Sequence, residues 1–177
     1  KTNTGNRNAD SWPLVFQVWR VLTVAMLLAH GEACAALQPI SLRAGGAEPP
    51  AGGNGDSMMP VLSADGRYVL FASTANNLLL TSSNAPIPAA FPARLNVFLR
   101  DRTHGTNALV SVNLTGVAGG NGDSLPSAIS TNGQFALFES RASDLVTGDT
   151  NNTTDVFLRD LVNETTTLVG VDRKSVV

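Results

Sequence analysis

Histidine, cysteine and charged side chains are scarce in this sequence, and their scarcity excludes several classes of function. Charged residues make up 15% of the 177 residues and the net charge is −2, so the chain lacks the basic surface that binds nucleic acid. The chain has one cysteine, Cys34, and two histidines, His30 and His104, and only His104 lies after residue 36, so the rest of the chain cannot build a zinc site from His and Cys ligands. The sequence contains neither a Gly-x-Ser-x-Gly elbow nor a phosphate loop ending in Gly-Lys-Ser/Thr. We therefore expect a protein that is not an enzyme and has no cofactor.

The first 36 residues have the pattern of a secretory signal peptide. Lys1 and Arg7 precede an apolar stretch, densest from Val21 to Ala29, and small residues follow it. A positive start, a short apolar core and an Ala-x-Ala end are typical of a segment removed on secretion. A membrane anchor is the alternative, but the dense stretch is shorter than the roughly 20 residues that a span needs. We expect residues 1–36 to be a signal peptide, residues 37–177 to be secreted or periplasmic, and this mature chain to have no membrane span.

An internal repeat organises the rest of the chain. The segment Ala-Gly-Gly-Asn-Gly-Asp-Ser at residues 51–57 recurs unchanged at 118–124, which is 67 positions later. The segment Val-Phe-Leu-Arg-Asp at residues 97–101 recurs at 156–160, which is only 59 positions later. The first copy therefore contains an insertion, and the Ala- and Pro-rich stretch 84–94 is its expected place.

Each copy predicts four short strands. A turn signal, Asp-Gly or Asn-Gly, follows the first strand, and the second strand is apolar without alternation, as in a strand covered on both faces. Copy one occupies about 51–114 and copy two about 118–171. The predicted strands are 61–63, 67–73, 96–101 and 108–114 in copy one, and 128–130, 134–140, 154–159 and 165–171 in copy two.

Four-stranded sheets that are apolar on both faces must pack between neighbours of the same kind, which is the arrangement in a β-propeller. The aromatic residues recur in pairs that fit core positions: Tyr68 with Phe135, Phe71 with Phe138, and Phe98 with Phe157. Residues 40–43 are similar to residues 112–115, and we expect them to form an N-terminal closing strand. The predicted fold is all-β: a β-propeller fragment of two four-stranded antiparallel blades plus that strand. Two blades cannot close a ring, so further blades of the same protein are expected partners.

The repeat resembles the TolB-like, or WD40-like, β-propeller repeats found in many bacterial secreted and periplasmic proteins. The resemblance rests on 63–71 and 97–101 in copy one, and on 130–138, 144–151 and 155–160 in copy two. It implies a binding scaffold in the cell envelope, although propellers also occur in enzymes. The chain differs from TolB in having no separate N-terminal α/β domain, so the resemblance does not imply a role in the Tol system.

Asp149, Asn151 and Asp155 place oxygen-bearing side chains at alternating positions in one loop of copy two. Hard cations such as Ca²⁺ bind several such oxygens, so this loop is a candidate metal site. The alternative is a polar turn in which these side chains accept hydrogen bonds from nearby backbone N–H groups. Copy one has no carboxylate at the aligned positions, which are Ser82, Asn84 and Asn96.

Two further repeated groups have plain structural interpretations. We expect the Gly-Asn-Gly-Asp-Ser segments to cap a tight turn before the first strand, rather than to bind a ligand. We expect the Arg-Asp pairs, Arg100 with Asp101 and Arg159 with Asp160, to form hydrogen bonds between blades.

The combined expectation is a non-enzymatic, secreted or periplasmic β-propeller binding scaffold whose partner is a protein or a small polar ligand. Two alternatives stay open. The chain could be the propeller domain of a larger secreted hydrolase whose catalytic domain is absent, or a structural surface repeat stiffened by Ca²⁺.

Signal-peptide removal gives the first testable prediction. We expect secreted protein to begin at Ala36 or Leu37, because the small residues of a cleavage site lie directly after the apolar core. Sequencing the N-terminus of secreted material measures this. Mature protein that still begins near Lys1 would contradict it.

Overall fold

A computed structural model describes residues 38–43, 52–80, 85–90 and 92–170. The expected signal peptide, residues 1–36, lies outside the described residues. Apart from Gln38, the described residues belong to one unit, Pro39–Val177. Within them the chain forms eight strands and no helix, so the predicted all-β class is confirmed. No helix in this described part is long and apolar enough to span a membrane.

The strands form two antiparallel sheets of four, and each sheet comes from one copy of the repeat. Each strand pairs with the next one along the chain, so the strand order in each sheet follows the sequence. Sheet 1 contains β1 (Ser57–Leu62), β2 (Tyr68–Ser73), β3 (Asn96–Asp101) and β4 (Thr106–Leu109). Sheet 2 contains β5 (Ser124–Ile129), β6 (Phe135–Ser140), β7 (Asp155–Asp160) and β8 (Thr165–Gly170).

The central strands of the two sheets pair in the same register. Phe71 lies opposite Phe98 in sheet 1, and Phe138 lies opposite Phe157 in sheet 2. The rings of each pair stack, with centroids 5.9 Å apart in sheet 1 and 5.5 Å apart in sheet 2. All four rings are buried, which confirms that these two pairs fill the core. The prediction is wrong for the third pair, because Phe135 is 39% exposed while the matched Tyr68 is half-buried.

The turns after β1 and β5 form as their sequences predict. In copy one Ser63 Oγ donates to Asp65 Oδ1 at 2.6 Å and accepts a hydrogen bond from the Tyr68 N–H at 2.9 Å. In copy two Ser130 makes the same two bonds with Asn132 and Phe135. A glycine with positive φ completes each turn, because that conformation costs glycine little.

The first strand of each sheet is longer than predicted. β1 begins at Ser57 rather than near Val61, and β5 begins at Ser124 rather than near Ala128. Both strands contain a register shift beside a proline, Pro60 or Pro126, and proline lacks the N–H that a ladder needs. The proline and the preceding polar segment therefore resemble a loop in sequence, although the residues pair with β2 and β6.

The two sheets pack face to face through unlike surfaces. Sheet 1 contributes aliphatic side chains, and sheet 2 contributes Phe138 and Phe157 together with Ala142 and Leu145 from the loop after β6. The aliphatic side chains are Leu70, Val97, Leu99 and Val110. The opposite face of sheet 1, which carries Phe71 and Phe98, is covered by a second cluster that includes Ala75, Leu78 and Ile87.

The repeated Gly-Asn-Gly-Asp-Ser segment joins the first strand of each sheet to the loop after the second strand. Asn54 donates from its side chain to Asn76 Oδ1 at 2.8 Å, and its own Oδ1 accepts the Asn76 N–H at 3.1 Å. Asn121 makes the equivalent pair of bonds with Ser143 in sheet 2. The Asn side chains of the segment therefore bond the loop after the second strand, whereas the sequence suggested that the segment caps a turn of its own.

The glycines of this segment allow close contact with the loop after the second strand. A Cβ atom at Gly122 would lie 2.6 Å from the Ala142 backbone nitrogen, and one at Gly55 would lie 2.6 Å from the Ala75 nitrogen. Such distances are too short for any side chain, so these positions accept only glycine without a backbone shift.

Ser41 and Leu42 contact the chain just before β1 through one isolated bridge, so the expected closing strand is not formed within the described residues. The bridge also has a different register from the one the sequence suggested. Leu42 bridges to Gly52 as Val112 bridges to Gly119, and Ser41 accepts the Gly53 N–H at 2.8 Å. Ile40 therefore matches Val110 rather than Val112. The sequence itself indicates this match, since Ile40-Ser41 is more similar to Val110-Ser111 than to Val112-Asn113.

The prediction that the Arg-Asp pairs form hydrogen bonds between blades is wrong. Arg100 donates to Gly105 O at 2.6 Å, and Arg159 donates to Glu164 O at 2.8 Å, each within its own sheet. Both guanidinium groups hold the turn that follows their strand. The long Arg side chain reaches along the strand pair to those carbonyls, which the sequence alone could not show.

The close contact at Gly122 gives a stability prediction. Gly122→Ala should lower the free energy of unfolding by about 1–3 kcal/mol, because the new methyl group overlaps backbone that cannot move freely. Gly52→Ala is the matched control, since a Cβ there meets no atom closer than 3.9 Å. Urea unfolding measures both variants. Equal midpoints for the two would contradict the prediction.

Candidate functional site

A groove of about 870 Å³ opens between the outer parts of the two sheets. Residues 107–109 of β4 line one wall, and Thr165 and Thr166 of β8 line the other. The remaining apolar surface comes from the turn at residues 112–117, from Leu79, Leu80, Leu145 and Val146 in the loops after β2 and β6, and from Ile87 in the insertion. The groove thus combines residues of both copies with a loop that only copy one contains.

The wall formed by sheet 2 is polar and balanced in charge. Arg159 donates to the Glu164 carbonyl and, at 3.1 Å, to Thr166 Oγ1, so its guanidinium is fixed in place. Burial lowers the pKa of Arg159, and the nearby negative charge of Glu164 opposes that shift. The groove therefore carries one cation and one anion at this wall, and suits a neutral, largely apolar ligand with polar backbone groups.

The sequence did not predict this groove, because no single motif builds it. Its rim includes Leu114 and Val117, whose side chains are 56% and 61% exposed. Thr115 Oγ1 donates to Asn113 Oδ1 at 2.7 Å, and the Leu114 N–H donates to Asp144 O at 2.8 Å. These bonds hold the turn 112–117, so its apolar side chains stand at the rim in a defined backbone conformation. The signal present in the sequence is the pair of apolar residues, Leu114 and Val117, within an otherwise polar turn segment.

The candidate metal-binding residues lie in the loop before β7. Asp149 and Asp155 are buried, at 9% and 2% exposure. Asn151 Oδ1 accepts the Thr153 N–H at 3.1 Å, which is the hydrogen bond of a polar turn. Within the described ranges no group of three or more His, Cys, Asp and Glu side chains is placed to hold a metal ion. This hydrogen bond favours the turn interpretation, and Ca²⁺ binding stays an untested alternative.

The charge of Asp155 acts on the nearby carboxyl group of Asp149. Burial raises the pKa of Asp149, the negative charge of Asp155 raises it further, and a hydrogen bond from the Asn151 N–H partly opposes both effects. An ionised Asp149 therefore costs the folded state stability at neutral pH. A cation between the two carboxylates would relieve that cost.

The only histidine outside the expected signal peptide, His104, belongs to a turn. Its Nδ1 lies 2.8 Å from Asp101 Oδ2, and the Arg67 guanidinium donates to the same carboxylate oxygen at 2.7 Å. The hydrogen bond from Arg67 holds the pKa of Asp101 well below its usual value, with further bonds from His104 and Thr103. Asp101 thus closes the β3–β4 turn.

Copy two builds the same turn without a histidine. Asp160 accepts a hydrogen bond from Asn163 Nδ2 at 2.8 Å and one from Gln134 Nε2 at 3.3 Å. Asn163 and Gln134 match His104 and Arg67 under the repeat. Because an amide replaces the imidazole and the turn keeps its form, the role of His104 in this turn is structural.

Comparison with protein-family models, with curated proteins and with solved structures finds no match for this chain.

The buried carboxylates give a prediction in pH and in Ca²⁺. Because the folded pKa of Asp149 is raised, its favourable contribution is present below about pH 4 and is lost as the pH rises through the folded pKa. Asp149→Asn should therefore raise the melting temperature at neutral pH and have little effect at acidic pH. Thermal melts at several pH values measure this.

The same melts test the metal site. We expect millimolar Ca²⁺ to leave both proteins unchanged. A bound ion would instead stabilise the original chain by about 2.7 kcal/mol at a hundredfold excess over its dissociation constant. A rise with Ca²⁺ but not Mg²⁺, absent in Asp149→Asn, would establish the site and contradict the turn interpretation.

Proposed function

We propose that this chain is a non-enzymatic β-propeller binding scaffold of the TolB-like repeat type, which works in a secreted or periplasmic setting. The groove between the outer strands β4 and β8 is its binding site. The ligand we propose is an extended, mainly apolar segment of a partner protein. The observation that carries this is a groove, apolar in part and polar along sheet 2, whose walls include the last strand of each sheet.

The propeller part of the proposal is supported by how the sheets pack. Strand β5 lies against β1, β2 and β3, so sheet 2 approaches sheet 1 mainly through its own first strand. The last strands, β4 and β8, stand on opposite walls of the groove. Sheets that approach at one edge and separate at the other are wedge-shaped neighbours, as the blades of a propeller are.

The strand edges explain why an extended segment fits. β4 and β8 are each the last strand of their sheet, so each has one row of backbone N–H and C=O groups that no neighbouring strand pairs, and both strands line the groove. An extended peptide binds such an edge by main-chain hydrogen bonds, and its alternate side chains enter the apolar surface. Leu109, Leu114 and Val117 provide that surface here.

Peptide binding tests this function. The probe is a set of short synthetic peptides in which Val or Leu alternates with Thr, and amide NMR shifts locate the bound peptide. We expect shifts at 108–109, 112–117 and 165–166. Val117→Asp and Leu114→Asp should each weaken binding by about tenfold, because a charge replaces buried apolar contact.

Val162→Asp is the matched control for these variants. Val162 is 71% exposed and lies in the β7–β8 turn, outside the groove lining. It should bind the peptides like the original chain. Peptide shifts confined to residues outside the groove, or equal loss in all three variants, would overturn the proposed site.

A further inference from the structure

The contact between the two sheets is directional, because each sheet meets the other with a different side. We name the two sides of a sheet by the order of the repeats along the chain. The trailing side faces the sheet of the following repeat, and the leading side faces the sheet of the preceding repeat. The trailing side of sheet 1 contains Tyr68, Leu70, Val97, Leu99 and Val110. The leading side of sheet 2 contains Ser124, Pro126, Gly133, Phe138 and Phe157. Since the sheets are repeats, each molecule also has a leading side on sheet 1 and a trailing side on sheet 2.

The leading side of sheet 1 is more exposed than its match in sheet 2, most clearly along β1. Met59 is 47% exposed and Leu62 is 59% exposed. Their matches in β5, Pro126 and Ile129, are buried and half-buried against sheet 1. Ser57 is likewise exposed where Ser124 is fully buried. The apolar side chains of the first strand are thus covered in sheet 2 and exposed in sheet 1.

The trailing side of sheet 2 is more exposed than its match in sheet 1. Val110 is fully buried, whereas Val169 at the matched position is 53% exposed. The ring of Tyr68 packs on Gly133, where a Cβ would lie 2.5 Å from it, whereas the matched Phe135 ring is 39% exposed. Leu137 and Leu158 are half-buried, although their counterparts in sheet 1 are buried.

Hydrogen bonds between the sheets show the same asymmetry. The Ser124 N–H donates to Leu95 O at 2.8 Å, and the Leu95 N–H donates to Asp123 Oδ1 at 2.9 Å. Under the repeat, Leu95 matches Thr154, which is exposed just before β7. Asp123 matches Asp56, which is also exposed and belongs to the leading side of sheet 1. The molecule therefore carries both halves of this bonded pair a second time.

We propose that a second copy of this chain docks head to tail, with the leading side of its sheet 1 on the trailing side of sheet 2. Phe135 then lies on the turn at Gly66, as Tyr68 lies on the turn at Gly133. Asp56 and Ser57 of the second molecule then form hydrogen bonds with the backbone of Thr154 in the first molecule. The contact is heterologous, so repeated docking closes a ring or continues as a filament. This assembly does not depend on what the groove binds.

Two features limit the strength of the contact. Glu139 takes the place of the buried Ala72, so the trailing side of sheet 2 is more polar than that of sheet 1. Ile87, held by hydrogen bonds of 3.1 and 3.0 Å with Asn76, covers the aromatic rings of sheet 1 on the leading side. The docked molecule therefore makes contact mainly through β1 and through Asp56 and Ser57. We expect this association to be weak and reversible.

Complementary variants test the proposal by analytical ultracentrifugation. Phe135→Asp blocks the trailing side, and Met59→Asp blocks the leading side. Met59 has a φ of 54°, a conformation that Asp tolerates. The purified chain should show a mass above the 18.5 kDa of one chain that rises with concentration. Each variant alone should associate at least about tenfold more weakly. An equal mixture should form dimers and nothing larger, because only one pair of intact sides remains.

Control measurements make the result decisive. Thermal melts confirm that both variants fold, and Val169→Asp replaces Phe135→Asp if that variant does not. Val162→Asp should associate like the original chain, since Val162 lies on neither side. A dimer of Met59→Asp alone would show pairing between two trailing sides and overturn the proposal. An original chain that keeps the mass of one chain at every concentration would also overturn it, and would mean that another partner or a further repeat covers the trailing side.

Discussion

The packing of an aliphatic side of sheet 1 against an aromatic side of sheet 2 is the interaction on which the rest of the structure depends. A four-stranded sheet with apolar residues on both faces has no way to bury both faces by itself. Burial of one Phe side chain contributes about 1.5–3 kcal/mol, and Phe138 and Phe157 are both fully buried in this contact. The repeat is therefore a unit of packing as well as of sequence, because one copy completes the core of the other.

The glycine-rich segment makes that packing possible by fixing the place where each sheet begins. Its glycines allow the chain to lie directly against the loop after the second strand, and its Asn side chain bonds that loop. Its last two residues, Asp123 and Ser124 in copy two, bond the backbone of the preceding sheet. The same segment thus connects two strands within a sheet and two sheets with each other. A segment that makes both kinds of bond tolerates little change, which fits its unchanged recurrence in the sequence.

The sequence predicted the parts of the structure that depend on local pattern and on the repeat. Four strands in each copy, the turns at Asp65 and Asn132, and the burial of two of the three aromatic pairs are confirmed. Two details are wrong: β4 ends at Leu109 instead of reaching residue 114, and Phe135 is 39% exposed. The start of β1 was missed because Pro60 and a residue with positive φ interrupt a strand that tertiary pairing maintains. The partners of Arg100 and Arg159 were missed because a long side chain selects among several carbonyls in three dimensions. The groove was missed because its walls are more than 50 positions apart in the sequence.

The departures from the repeat are the places where function can be specific. Matched positions that differ, such as His104 and Asn163, often keep the same hydrogen bond, so the change alters the surface and leaves the turn intact. The insertion in copy one has a larger effect, because Ile87 covers one face of sheet 1 and also lines the groove. A ligand that fills the groove contacts this loop, and the loop lies on the side that a second copy would approach. The insertion therefore lies next to both the proposed binding groove and the side proposed for assembly.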